Sequence, residues 1–199
     1  MRLLRMRSRF AVADLVAMFK SKVLSYIEYR TAAVYHACDT LLAKIDHVLH
    51  FFLRELGIGE LDALVKFKLA PLAARRDMAM LGVIHRAMLG KGPQAIRDYF
   101  KPAITRRGSG PTTRTRRHAR SIEHNRLAVD LEMGRRSLLG LPAVYNLLPG
   151  EVIRLEYAFQ GALQRLLVEY APLGNEDWPT LLCPRRDLVS HPLRMLAAP

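Results

Sequence analysis

The chain has no Asp-Asp dipeptide, and its one pair of adjacent acids, Glu176 and Asp177, falls in an irregular tail beside Trp178. Two-metal phosphoryl transfer needs carboxylates close enough to grip paired cations, so that chemistry is not encoded here. The acid pair reads instead as a solvated turn. Walker, G-x-G-x-x-G, H-E-x-x-H and G-x-S-x-G patterns are all missing. Cysteine is almost absent. Cys38 and Cys183 give neither a disulfide framework nor a C-x-x-C pair, and a reducing compartment is the simplest reading. His36 and Cys38 are two apart and do not face each other on a helix, so Cys38 is expected to be a buried structural thiol rather than a nucleophile. His47 and His50, three apart, can share a helix face, but no third ligand stands near them, and a surface or core-edge pair is expected. Apolar runs such as "MAMLGVI" at 78–84 fall far short of the roughly 20 residues that span a bilayer. The opening "MRLLRMRSRF" is Arg-rich and acid-free, like an organelle transit peptide, but it is poor in Ser and lacks a cleavage signal. A basic helix start within a longer chain is the alternative.

What the sequence does have is positive charge and helical periodicity. Lys and Arg number 31 against 18 acids, a formal net charge of +13. Such an excess favours polyanions through counterion release and long-range attraction, with a merely solubilising surface as the other reading. Half of the residues are hydrophobic, so 199 residues suffice for one moderate domain or two small ones with a core.

A helix is expected over 12–29, with Leu15, Phe19, Val23, Tyr26 and Ile27 on one face and Lys20 and Lys22 off it. A second is expected over 39–56, with Asp39 as N-cap, Leu42, Ile45, Leu49, Phe52 and Leu56 as the stripe, and Gly57 as the stop. A third runs from Pro71 to Leu89, where Met80, Val83, Ile84, Ala87 and Met88 recur at helical spacing and Gly90 follows. A short helix is expected over 93–100. The cleanest stripe, Leu155, Phe159, Ala162, Leu163, Leu166, Leu167 and Tyr170, predicts a last helix over 152–170. No strand pair and no repeat is visible. The fold class is all-α, a bundle of about five helices. Residues 1–100 would form one helical domain, 122–171 a helical extension and 172–199 an irregular tail.

Between them, "KPAITRRGSGPTTRTRRHARS" at 101–121 carries Lys101, Arg106, Arg107, Arg114, Arg116, Arg117 and Arg120, with no acid, two Pro and two Gly. No apolar periodicity survives there, so it reads as a solvated basic linker or arm. Seven cations, mostly Arg, suit phosphate contacts that position a nucleic acid without reading its sequence. A solvated loop or a nuclear localisation patch is the alternative.

Three blocks carry a family resemblance. "VLSYIEYRTAAVYHA" at 23–37 resembles the "LVRPxLEYAxxVW"-like segment that follows the palm in reverse transcriptases of non-LTR retrotransposons. "LDALVKFKLAPLAARRDMAMLGVIHRAMLG" at 61–90 resembles their next helix, and "RRSLLGLPAVYNLLPGEVIRLEYAFQGALQRLL" at 135–167 their terminal Trp-Asn-x-Leu-Pro block. Order and spacing agree over roughly residues 10–170. Tyr35 and Tyr145 stand where that family has Trp, and Phe159 lacks its following Lys. The resemblance implies a thumb and C-terminal extension without fingers or palm. Such a chain has no polymerase site, metal, cofactor or small-molecule substrate of its own.

By the same resemblance it grips an RNA–DNA or RNA duplex by the backbone, in the nucleus or cytoplasm, and a palm or fingers domain is a second partner. The implied phosphate contacts are Lys20, Lys22, Arg30, Arg75, Arg76, Arg135 and Arg136, with a structural ion-pair face as the alternative for Arg75 and Arg76. A helical protein-interaction module or a non-functional retroelement relic is the competing reading.

Overall fold

The computed structural model describes residues 3–103, 120–123, 140–174, 176–186, 188 and 190–196. The helices form where the apolar spacing demands them, and the described residues make an all-α fold. In chain order they are α1 (Val12–Phe19), a π-helical turn (Lys20–Leu24), α2 (Ser25–Tyr29), α3 (Thr31–Val34), α4 (Asp39–Leu56), α5 (Glu60–Phe67), α6 (Leu72–Met88) and α7 (Gln94–Tyr99). After the basic stretch come α8 (Leu141–Tyr145), α9 (Gly150–Arg154), α10 (Phe159–Tyr170) and α11 (Leu193–Leu196). Among the described residues, short helices such as α5 and α8 stand beside the long α4 and α6, so the helices outnumber the about five expected.

Two compact units are present, residues 1–77 with 164–180 and residues 78–163 with 181–199. The first unit's core contains Leu15, Phe19, Leu24, Leu49, Phe52, Leu53, Ala63 and Leu69. Phe19 and Phe52 stack at its centre, with ring centroids 4.2 Å apart. In the second unit Leu81, Ile84, Leu141, Tyr145, Leu163, Leu182 and Leu193 are fully buried. The tail beyond Pro172, expected to be irregular, also buries Trp178 and Leu181.

Helix α4 has the expected bounds and ends at Gly57, whose φ of 66° is the left-handed conformation that glycine adopts without cost. Asp39 is the first helical residue rather than the cap. The N-cap is Cys38, which is exposed and not the buried thiol expected.

Two departures matter for function. Segment 12–29 is helical throughout, but its middle is a π turn. Ser21 Oγ donates to the Met18 carbonyl and Ser25 Oγ to the Ser21 carbonyl, side-chain bonds of the kind that disturb the regular ladder. A π turn holds one extra residue, so every later side chain is rotated backwards relative to a regular helix. Leu24, five residues after Phe19, becomes the buried position. Tyr26, expected in the stripe, is turned out to solvent.

The second departure is in the last helix, which is broken between Arg154 and Phe159. Leu155 is extended and Ala158 has φ 61°. The Leu155 carbonyl, which a continuous helix would have used, is bonded by His85 instead.

Candidate nucleic-acid interface

The basic stretch is described at its two ends only. Its described ends pair with each other, as Ala103 N–H donates to Ser121 O (2.8 Å) and Glu123 N–H donates to Lys101 O (2.9 Å) around the antiparallel bridge Pro102–Ile122. Asn146 locks this stem from the side. Its amide group donates to the Ile122 carbonyl and accepts from the Ile122 N–H, both at 2.8 Å. Residues 104–119 thus begin and end at one anchored point, and Arg106, Arg107, Arg114, Arg116 and Arg117 lie among them, outside the described residues. Arg135 and Arg136 are also outside them.

Asn146→Ala is expected to destabilise the chain by about 2 kcal/mol, because a buried N–H and carbonyl are left unpartnered at once. Urea denaturation measures the loss, and faster hydrogen exchange of the Ile122 amide locates it.

The residue before Asn146 builds the second unit's interior. Tyr145 is fully buried, and its hydroxyl lies 3.0 Å from His85 Nδ1. On the other side of that ring, His85 Nε2 is 2.6 Å from the Leu155 carbonyl, and Phe159 stacks on it with centroids 4.0 Å apart. A carbonyl can only accept, so Nε2 carries the proton and Nδ1 accepts from the tyrosine. The Tyr-Asn pair thus holds the fold with both side chains, the phenol on the core histidine and the amide on the stem of the basic loop.

Burial, reinforced by the positive Arg120, holds the His85 pKa below its usual value of 6.5, with the Leu155 bond opposing. His191 is shifted the same way by burial, then by Arg186 and Arg194, against its bond to Cys183. For a histidine of depressed pKa the unfolded state binds the proton first. Stability is therefore full above about pH 6.5 and is lost as pH falls from there toward the lower folded-state values. Urea midpoints taken from about pH 7 down to about pH 5 should fall steadily, and His85→Gln should flatten part of that slope.

The remaining predicted cations divide into two groups. Arg76 is only 6% exposed and makes a bidentate pair with Asp46, at 2.6 and 2.8 Å. Arg75 pairs with Glu28. These two form the ion-pair face that the sequence allowed as the alternative, and Arg76 has no surface left for a phosphate. Arg120 turns inward and donates to the Ile153 carbonyl. Lys20 donates to the Phe67 carbonyl, with its pKa lowered by burial and by the nearby Arg75 and Lys68. Hydrogen-bonding needs within the fold thus take up four cations that sequence reasoning had assigned to phosphate. Lys22 and Arg30 are exposed.

Sequence reasoning missed the tyrosines beside those two exposed cations. Tyr26 and Tyr29 are 63% and 88% exposed, and the Arg30 guanidinium lies 5.4 Å from the centre of the Tyr26 ring. The excess of aromatics over acids in 19–37 was the available signal.

Among the described residues no cluster of His, Cys, Asp and Glu is arranged to hold a metal, and no helix is long and apolar enough to cross a membrane. His50 pairs with Glu60 at 3.1 Å, and both are exposed. Glu176 and Asp177 are exposed. No protein-family model matches the chain, and no significant match exists among curated proteins or solved structures.

Proposed function

We propose that this chain is a nucleic-acid-binding module that grips a duplex by its backbone, in the manner of the reverse-transcriptase thumb it resembles, and has no polymerase site of its own. The observation that carries this reading is the anchored stem. An acid-free stretch with five arginines between residues 104 and 119 is held at both ends by backbone pairing and by Asn146. A stretch that served only as a spacer between helices would need no such closure. Closing it lowers the entropy lost when several guanidinium groups settle on phosphates together. An A-form-like duplex offers regularly spaced phosphates and a shallow groove, and contacts of this kind tolerate any sequence.

The test is binding of a labelled RNA–DNA hybrid to the full chain across a range of salt. The logarithm of affinity should fall linearly with the logarithm of salt, by about 0.9 for each phosphate contact. Changing Arg106, Arg107, Arg114, Arg116 and Arg117 together to Gln should reduce that slope by about 4.5. An affinity that ignores salt, or a quintuple variant with the parental slope, overturns the reading.

A further inference from the structure

Beside Lys22 and Arg30, the exposed rings of Tyr26 and Tyr29 are the part of the first unit's surface that the duplex reading leaves unused. Tyr26, Tyr29 and Arg30 follow the π turn at i, i+3 and i+4 and share one side of the segment, and Lys22, within the turn, is exposed like them. That they face outward follows from the π turn, which sends Leu24 into the core and carries Tyr26 out of it. The helix then breaks at Arg30, whose φ of −102° and ψ of 10° leave the helical region. Tyr29 therefore stands at a helix end, which accounts for its 88% exposure. A large, rigid ring so exposed in water contributes little to the fold.

The electrostatic setting is one-sided. Between Phe19 and Ala37 the only acid is Glu28, and its carboxylate is taken by Arg75. No other acid of this segment is left to pair with Lys22 or Arg30, and Arg30 lies against the Tyr26 ring. The second unit offers a contrast. Tyr157 is also well exposed and has Lys91 over its ring at 4.7 Å, but that lysine is tied to Glu156.

We infer that the Lys22–Tyr26–Tyr29–Arg30 stripe binds unpaired nucleotides, with the two tyrosine rings stacking on successive bases and the flanking cations meeting the phosphates. This deepens the nucleic-acid reading above and rests on it. Aromatic rings interleaved with cations are the means by which sequence-tolerant proteins hold single strands, since every base has a π-face. A base inside a duplex has both faces covered by its neighbours. Projecting rings therefore have nothing to stack on until a strand end or an unpaired overhang arrives. The class of ligand is single-stranded RNA or DNA, as a free strand or as the unpaired extension of a duplex.

The test compares the full chain with Y26A/Y29A and Y26F/Y29F. Each is titrated at one fixed ionic strength with labelled single strands of about twelve nucleotides and with a blunt hybrid duplex of equal length. The expected result is a loss of single-strand affinity of about tenfold or more in the alanine variant, with duplex affinity held within about twofold and single-strand affinity retained by the phenylalanine variant. Ultraviolet cross-linking of a bound strand to the unaltered chain, mapped by mass spectrometry, should fall on Tyr26 or Tyr29, and this readout does not depend on a variant's folding.

Single-strand affinity unchanged in Y26A/Y29A overturns the inference, as does a cross-link mapped elsewhere. So does self-association that the alanine variant abolishes while strand binding persists, which would make the stripe a protein interface. If the chain holds the duplex with a salt slope while the tyrosines are silent, this inference alone fails. Failure to hold either duplex or strand removes the nucleic-acid reading along with it.

Discussion

Replacing Asp46 by alanine is expected to cost the fold about 3–5 kcal/mol, a large share of the stability of a domain of this size. The reason is the state in which it leaves Arg76. Arg76 is 6% exposed, sits in the second turn of α6 and is neutralised by two parallel bonds to the Asp46 carboxylate on α4. Removing the acid leaves a largely desolvated positive charge without the carboxylate that neutralises it. The two side chains are 7% and 20% exposed, so solvent screens the pair only weakly. By contrast Lys66 and Asp62, one turn apart on α5, are 64% and 56% exposed. Breaking that surface pair should cost no more than about 0.5 kcal/mol.

Equilibrium unfolding in urea distinguishes the two cases. The double change D46L/R76M should recover most of the loss, because the penalty comes from an orphaned charge and not from missing attraction. The same double variant, tested against the hybrid duplex, should bind as the parent does, since Arg76 offers no surface to a phosphate.

Truncating Phe52 to alanine should cost a similar amount, about 3–5 kcal/mol. Phe52 is completely buried and lies flat against Phe19, with their planes 16° apart. Leu15, Leu49, Leu53 and Leu24 belong to the same cluster. Those neighbours are branched and fixed on α1, the π turn and α4 itself, so they can fill only part of the space that a phenyl ring leaves. Phe52→Leu, which keeps most of the volume, should lose much less. Phe52 lies on α4 and Phe19 directly precedes the π turn, so the alanine variant also tests the turn's support. A drop in circular dichroism beyond that of Phe52→Leu, in native buffer, is the expected sign that segment 12–29 has loosened.

How far the sequence reveals this fold depends on whether a local rule or a distant contact decides the outcome. Helix α4 is legible because periodicity and the Gly57 stop agree on its extent. Helix α5 escapes because eight residues hold too few turns for its spacing to stand out, and α8 because five hold fewer still. The π turn is invisible to a method that assumes 3.6 residues per turn, and for that reason Tyr26 is misplaced while Leu15 and Phe19 are not. The interruption at 155–158 has no Gly or Pro to announce it. It is set by His85, seventy residues earlier, which takes the Leu155 carbonyl.

The candidate interface was legible in its composition and not in its geometry. Counting cations identified the Arg-rich stretch. No count could tell that Arg75 faces Glu28, that Arg120 caps a helical carbonyl, or that Lys20 rests on Phe67. Partners for buried charge come from other parts of the chain, so the same residue type serves the core in one place and the surface in another.

The pairing of 101–103 with 121–123 makes the Arg-rich segment a cassette. Because both ends meet, the entropic cost of what lies between rises only with the logarithm of its length, about 0.6 kcal/mol per doubling. Evolution or an engineer can lengthen it, shorten it or exchange its charges without moving the two splice points. Its paired ends and the clasping Asn146 amide are what a transplant onto an unrelated helical scaffold would have to bring with it.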